Sequence, residues 1–212
     1  MRGRRQRAGA ALTPPRFGDR RRIRIGLLGG SFNPAHAGHR HVAEHARRRL
    51  RLDQVWLLVS PGNVLKPRAG MAGYRERLAG AARIGDGRRV LAAGLEAAWG
   101  TRYSYDTVRM LRVRFPRAHF VWVMGADILV ELPRWREWVR LTRSIPFLVL
   151  PRPSYNARAL AGRAARRMRH SRLPPRAARL LPGRAPGWVF LPIPQHTASA
   201  SAIRAAAKGD VP

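Results

Sequence analysis

Two periodicities alternate along the chain. From residue 23 onward, short and almost wholly apolar runs recur: "IRIGLL" (23–28), "VWLLVS" (55–60), "RVLAAGL" (89–95), "HFVWVMG" (119–125), "PFLVL" (146–150) and "WVFLPI" (188–193). Runs of that length and composition are what strands buried on both faces require. Between them, "GHRHVAEHARRRL" (38–50), "YRERLAGAARI" (74–84), "YDTVRMLRVRF" (105–115) and "ALAGRAARRMR" (159–169) place apolar residues three or four apart, the spacing of helices with one buried face. The last belongs to a helix expected over Asn156–Arg169 with a basic outer face. Strand-helix alternation predicts an α/β fold, a parallel sheet joined by right-handed crossovers. No internal repeat is visible.

Length and composition then bound the architecture. With 212 residues, 45% of them hydrophobic, the chain suffices for one domain with a real core, expected over residues 23–212. The N-terminal 1–22 segment carries Arg, Pro and Gly without periodicity and reads as a disordered basic tail. It lacks the apolar centre of a signal peptide, and no run reaches the length of a membrane span, so the expected location is the cytoplasm and no membrane partner is expected. With no cysteine, disulfides, thiolate zinc sites and a Cys nucleophile are excluded.

The formal charge of +31 raises the question of polyanions. All but Lys66 and Lys208 of the 42 cationic side chains are Arg, a bias that can write ordinary solvated positions. The run 152–184 holds ten Arg and no acid, and a solvated face is favoured there over a binding site. The Arg-rich tail keeps nucleic acid open as a second partner.

The chemistry concentrates after the first strand. In "GGSFNPAHAGH" (29–39), Gly29 and Gly30 let a ligand approach the backbone, Asn33-Pro34 makes a turn, and His36 and His39 flank a helix start whose free N–H groups favour anions. There is no G-x-G-x-x-G and no G-x-x-x-x-G-K-[ST], so hydride transfer and the P-loop mechanism lose their sequence support. "HVAEH" (41–45) fits the H-x-x-E-H zinc pattern, but Val42, Ala43, Ala46 and Leu50 form the apolar stripe of that helix. His41, Glu44, His45 and Arg48 then fall on a solvated face, and no protein metal ligand is expected.

The His-x-Gly-His loop resembles the signature of the nucleotidyltransferases related to class I aminoacyl-tRNA synthetases. Its Gly-Gly-Ser-Phe-Asn-Pro part resembles the nicotinate-nucleotide adenylyltransferase family in particular. Four further segments are similar to that family in order: "SPGNVLK" (60–66), "RYSYDT" (102–107), "MGADILVELPRW" (124–135) and "SASAIR" (199–204). The resemblance implies a Rossmann-like doubly wound parallel sheet with a short C-terminal helical segment. It implies transfer of AMP from ATP to nicotinate mononucleotide, giving nicotinate adenine dinucleotide and pyrophosphate. The nucleophile of that reaction is a phosphate oxygen already ionised at neutral pH, so the enzyme must align two polyanions and stabilise charge, and cationic donors can do so.

By the same resemblance, His36, His39, Lys66 and Arg204 are the catalytic group, with His39 nearest the α-phosphate. ATP is expected at Gly29, Gly30, Ser31, Phe32, His36, His39, Gly125, Asp127, Ser199, Ser201, Ile203 and Arg204. Nicotinate mononucleotide is expected at Ser31, Phe32, Asn33, Lys66, Tyr103, Ser104 and Trp135, with Trp138 as the alternative ring. Mg²⁺ is expected to be held by ATP oxygens and water, since no carboxylates cluster in the sequence. Departures from the family pattern are Ala35, Ile128, Ala200 and Ser201. Sister transferases acting on nicotinamide mononucleotide or phosphopantetheine, or using a cytidylyl donor, share the His-x-Gly-His loop and stay open as alternatives. So does a basic RNA-binding protein.

Overall fold

The computed structural model describes residues 19–62, 70–194 and 196. Residues 1–18, 63–69, 195 and 197–212 lie outside them, and with them the expectations for Lys66, Ser199, Ser201, Ile203, Arg204 and the C-terminal helical segment.

The first half of the fold runs β1 (Arg24–Gly30), α1 (Ala37–Arg49), β2 (Gln54–Val59), α2 (Tyr74–Ile84), β3 (Val90–Ala93), α3 (Leu95–Trp99) and α4 (Ser104–Arg114). The second runs β4 (His119–Gly125), α5 (Ala126–Glu131), α6 (Trp138–Ser144), β5 (Phe147–Leu150), α7 (Asn156–Leu160), α8 (Arg163–Arg167), β6 (Arg172–Leu173) and β7 (Trp188–Phe190). The seven strands form one sheet in the order β3-β2-β1-β4-β5-β7-β6, every pair parallel.

Both faces of the sheet are covered, which is why its strands are apolar throughout. On β2 the period of two sends Val55, Leu57 and Val59 toward Ala43 and Ala46 of α1 and Ala81 and Ala82 of α2. Trp56 and Leu58 point the other way, into a layer with Val108 and Leu111 of α4, Leu129 of α5 and Leu141 of α6. Each such side chain fully buried contributes about 1.5–3 kcal/mol of hydrophobic stabilisation.

Three boundaries differ from the sequence expectation. The run 89–95 is strand only to Ala93, because Leu95 and Glu96 already turn into α3. "WVFLPI" pairs only over Trp188–Phe190. The helix expected over 156–169 is two short helices that break at Gly162, the N-cap of α8, where a Cβ would stand 2.9 Å from the Arg158 carbonyl oxygen. Of the 1–22 segment, the structure describes residues 19–22. The Asp19 N–H donates to the Arg114 carbonyl at 2.9 Å and the Asp19 carboxylate pairs with Arg21, which holds that carboxyl below its ordinary range.

Candidate active site

β1 and β4 are neighbours whose chains then lead to opposite halves of the sheet, so the crevice beyond their carboxyl ends is the topological switch point where ligands bind in such folds. Both ends are glycines. A Cβ on Gly29 would lie 3.2 Å from the Trp122 ring, and one on Gly125 would collide with the Asp127 Oδ1 and lie 3.0 Å from Arg152. After Gly30 the chain turns through Phe32, which adopts φ 50° in the left-handed region and is 1% exposed. A non-glycine residue holds that conformation only where its surroundings enforce it. The Phe32 ring packs against His39 at 4.8 Å between centroids.

α1 starts in this crevice, and the two histidines cap it. The Gly38 N–H donates to His36 Nδ1 at 3.2 Å, and the His36 N–H donates to His39 Nδ1 at 3.2 Å. The reciprocal pair satisfies two N–H groups that a helix start otherwise leaves orphaned. It also fixes the tautomers. With Nδ1 accepting on both rings, each neutral imidazole carries its proton on Nε2, the position free to donate to a ligand. The ring centroids are 3.9 Å apart.

The free protein favours the neutral form of both rings. Burial, then His36 and Arg152, lower His39 to about 3. Burial, then Arg152 and His196, lower His36. The consequence for stability has a definite sign. Between about pH 6.5 and about 3 the unfolded chain binds a proton at this ring and the folded chain does not, so stability falls on acidification. At pH 5 the His39 contribution to that loss is at most roughly 2 kcal/mol. Urea unfolding of the parent and His39→Asn at pH 7 and pH 5 should show the parent losing more. Equal losses would contradict the burial of a neutral ring.

Asp127, in the first turn of α5, does not cap that helix; its Oδ1 is buried without a hydrogen bond, 3.7 Å from Arg152 Nε. The Trp135 ring meets Trp122 edge-on at 6.0 Å, and Trp122 underlies Gly29, so Trp135 belongs to the switch-point side of the crevice. Trp138 opens α6 and, like Trp135, packs partly buried against the core, with Arg163 over its ring at 5.8 Å. Arg136 covers the Tyr103 ring at 4.8 Å, which brings the 135–136 segment onto the start of α4. Ser104 is the first residue of α4, where Thr107 makes the first helical bond to Tyr103 and the preceding N–H groups have no intrahelical acceptor. Asn33 ties this loop to residues 70–72: its Oδ1 accepts from the Ala72 N–H at 3.1 Å and its Nδ2 donates to the Gly70 carbonyl at 3.2 Å.

Residues 27–206 match a family model described as cytidylyltransferase-like. A "probable nicotinate-nucleotide adenylyltransferase" of Gluconacetobacter diazotrophicus is 55% identical over 192 residues, covering 90% of this chain and 89% of that one. The chain belongs to the nicotinate-nucleotide adenylyltransferase family. A family member of the same description from Gluconobacter oxydans is 54% identical over 183 residues, covering 86% of this chain and 94% of its own. The fold is that of the solved Plasmodium falciparum nicotinic acid mononucleotide adenylyltransferase complexed with APC, with a TM-score of 0.61 at 16% identity over 86% of this chain and 82% of that one.

This family member contains site features that the sequence pattern did not single out. Arg152, counted in the basic run, is separated from it by the fold: it follows β5 directly and acts on His36, His39 and Asp127 together. Its place just beyond a strand's carboxyl end was the available signal. Glu96 is 8% exposed, and the hydroxyls of Thr107 and Ser60 bond it; among the described residues no cation pairs with it. Burial pushes its carboxyl up to about 7 despite those bonds. The buried Tyr74 hydroxyl lies on the same side and is raised by burial and by Glu96. His41, expected in solvent, bonds through Nε2 to the Pro194 carbonyl at 2.7 Å and lies against His45 and His196. Glu44 holds Arg40 and Arg48 on that face. Among the described residues no three His, Asp or Glu side chains converge as metal ligands, and no helix is long and apolar enough to cross a membrane.

Proposed function

We infer that the chain transfers the adenylyl group of Mg·ATP to nicotinate mononucleotide, giving nicotinate adenine dinucleotide and pyrophosphate, in the cytoplasmic synthesis of NAD. What carries this reading is the 55% identity over 90% of the chain to a relative of that description. The crevice geometry supports the chemistry.

A phosphate oxygen of the mononucleotide attacks the α-phosphorus of ATP, forming the new P–O bond while the bond to the β-phosphate oxygen breaks and pyrophosphate leaves with the electron pair. No proton has to be removed from the nucleophile. The protein's work is alignment and charge stabilisation. The Nε2–H groups of His36 and His39, together with the unpaired N–H groups at the start of α1, are donors in a half-buried site, where such bonds count for more than in water. Phosphate binding also favours the imidazolium form, so the rings can take up a proton as the polyanion arrives. Lys66, Ser199, Ser201, Ile203 and Arg204 are assigned to the phosphates by resemblance. Asp127 is assigned to adenosine, and its unsatisfied Oδ1 supports an acceptor kept for a ligand. Mg²⁺ enters with ATP as part of the substrate and neutralises phosphate charge.

For the acceptor, the free N–H groups of Ser104 and its neighbours suit a carboxylate, and the Trp135 face suits a flat pyridine ring. Trp135→Ala should weaken mononucleotide binding by about 1–3 kcal/mol, the scale of stacking on an aromatic ring, read as a rise in its KM with little change for ATP. An unchanged KM would remove Trp135 from the site. The reading as a whole is tested by incubating the protein with Mg·ATP and nicotinate mononucleotide and measuring the dinucleotide by mass. Dinucleotide and pyrophosphate in equal amounts are expected; pyrophosphate release without dinucleotide would contradict it.

A further inference from the structure

Arg77, on α2, is 3% exposed, and among the described residues no carboxylate pairs with it. A buried arginine without an anion is expensive unless its donors are satisfied, and here they are satisfied by main chain alone. Nη1 donates to the Ser31 carbonyl at 2.7 Å and the Ser60 carbonyl at 2.8 Å. Nη2 donates to the Pro61 carbonyl at 3.1 Å, and Nε to the Ala72 carbonyl at 3.0 Å. The Tyr74 ring lies 5.7 Å from the guanidinium carbon.

These four carbonyls belong to three segments, the ends that follow β1 and β2 and the stretch that precedes α2. The last main-chain bond between the β1 and β2 ends is from the Ser60 N–H to the Gly30 carbonyl, at 3.0 Å. One residue further, where the ladder stops, the guanidinium takes over and ties Ser31 to Ser60. The third segment is held twice: the Ala72 carbonyl by Arg77 and the Ala72 N–H by Asn33. Ser31 directly precedes Phe32, the residue held at φ 50°, whose ring packs against His39. A planar fork with fixed donor directions suits this task, and a flexible ammonium does not.

We propose that Arg77 is a positioning residue for adenylyl transfer, fixing the Ser31 carbonyl and, through Phe32, the place of the His39 ring in the crevice. The proposal rests on His39 acting as a donor to the α-phosphate. It assigns a role to a side chain that touches neither substrate, and it explains how the loop keeps a left-handed phenylalanine beneath a catalytic ring.

The test is Arg77→Lys, which keeps the charge and loses the fork. Two quantities are read: kcat under saturating substrates, and the titration of the His39 ring followed by its C2 proton in NMR spectra of the free protein. The expected result is a roughly ten- to hundredfold fall in kcat, the scale of a small misplacement at the reacting centre. With it, the His39 titration should rise from about 3 as the ring loses its packing. A variant that unfolds at lower urea but keeps the parent's kcat and His39 titration would overturn the proposal and leave Arg77 a scaffold residue only. Phe32→Leu probes the same contacts from the other end and decides the matter if Arg77→Lys does not fold; an unchanged His39 titration there is likewise contrary. The titration needs no turnover, so a parent protein without transferase activity would defeat the functional reading while the ring still reports on Arg77.

Discussion

Replacing His39 with alanine is expected to lower kcat roughly a hundred- to a thousandfold, the effect of removing one preorganised donor to a developing charge, while costing the fold only about 1 kcal/mol. The two numbers separate because the ring does two jobs through two atoms. Nδ1 accepts the His36 N–H in the helix cap, and its loss is an ordinary capping loss. Nε2–H has no part in the cap and is the atom available to the phosphate. His39→Ala should therefore give an intact circular dichroism spectrum, a small fall in the urea midpoint and a collapse in turnover. Turnover equal to the parent's would remove His39 from the mechanism.

Glu96→Gln is expected to stabilise the protein at pH 8 by roughly 2–3 kcal/mol more than at pH 5. Burial lifts the folded carboxyl to about 7, against about 4.3 in the unfolded chain. Between those values the folded state holds the extra proton, so the contribution of Glu96 is fully present below the unfolded value and is lost as pH rises through the folded one. Above pH 7 the protein carries an ionised carboxylate with hydroxyls about it, and among the described residues no cation pairs with it. A neutral amide of the same shape avoids that charge. For a chain of this size the gain corresponds to a rise of several degrees in Tm, about 2–4 °C per kcal/mol. A Tm for Glu96→Gln that is lower by the same amount at both pH values would mean that the carboxylate is satisfied as an anion.

The sheet was legible because strands buried on both faces must be apolar throughout, and "HFVWVMG" became β4 without the shift of a residue. The limits of "YRERLAGAARI" likewise coincide with α2. What failed were ends decided by tertiary contact. A long apolar run cannot show that pairing stops at Ala93, where the chain turns through Gly94 into α3, or at Phe190, one residue short of the end of β5. Gly162 is tolerable in a helical pattern by spacing, whereas here it takes an extended conformation as the N-cap of α8, so close to the Arg158 carbonyl that a side chain would not fit. The glycines, the two histidines and Trp135, with Trp138 as its alternative, could be proposed from their order in the chain, whereas protonation could not: His39 is depressed by burial first, then by His36 at 3.9 Å and by Arg152 from a distant strand end. Arg77 was hidden for a related reason. In a chain this rich in arginine, a single buried one looks like all the exposed ones until its carbonyl partners from three loops are brought around it.

The measurement that bears most directly on the central claim is the rate of pyrophosphate release from Mg·ATP with nicotinate mononucleotide, nicotinamide mononucleotide and phosphopantetheine in separate reactions. Rapid release with nicotinate mononucleotide and far slower release with the other two is the expected result if, as proposed, the N–H groups at the start of α4 read a carboxylate and Trp135 reads a pyridine ring. Release driven equally by the amide would contradict the carboxylate assignment, and release driven by phosphopantetheine, or by none of the three, would contradict the function itself.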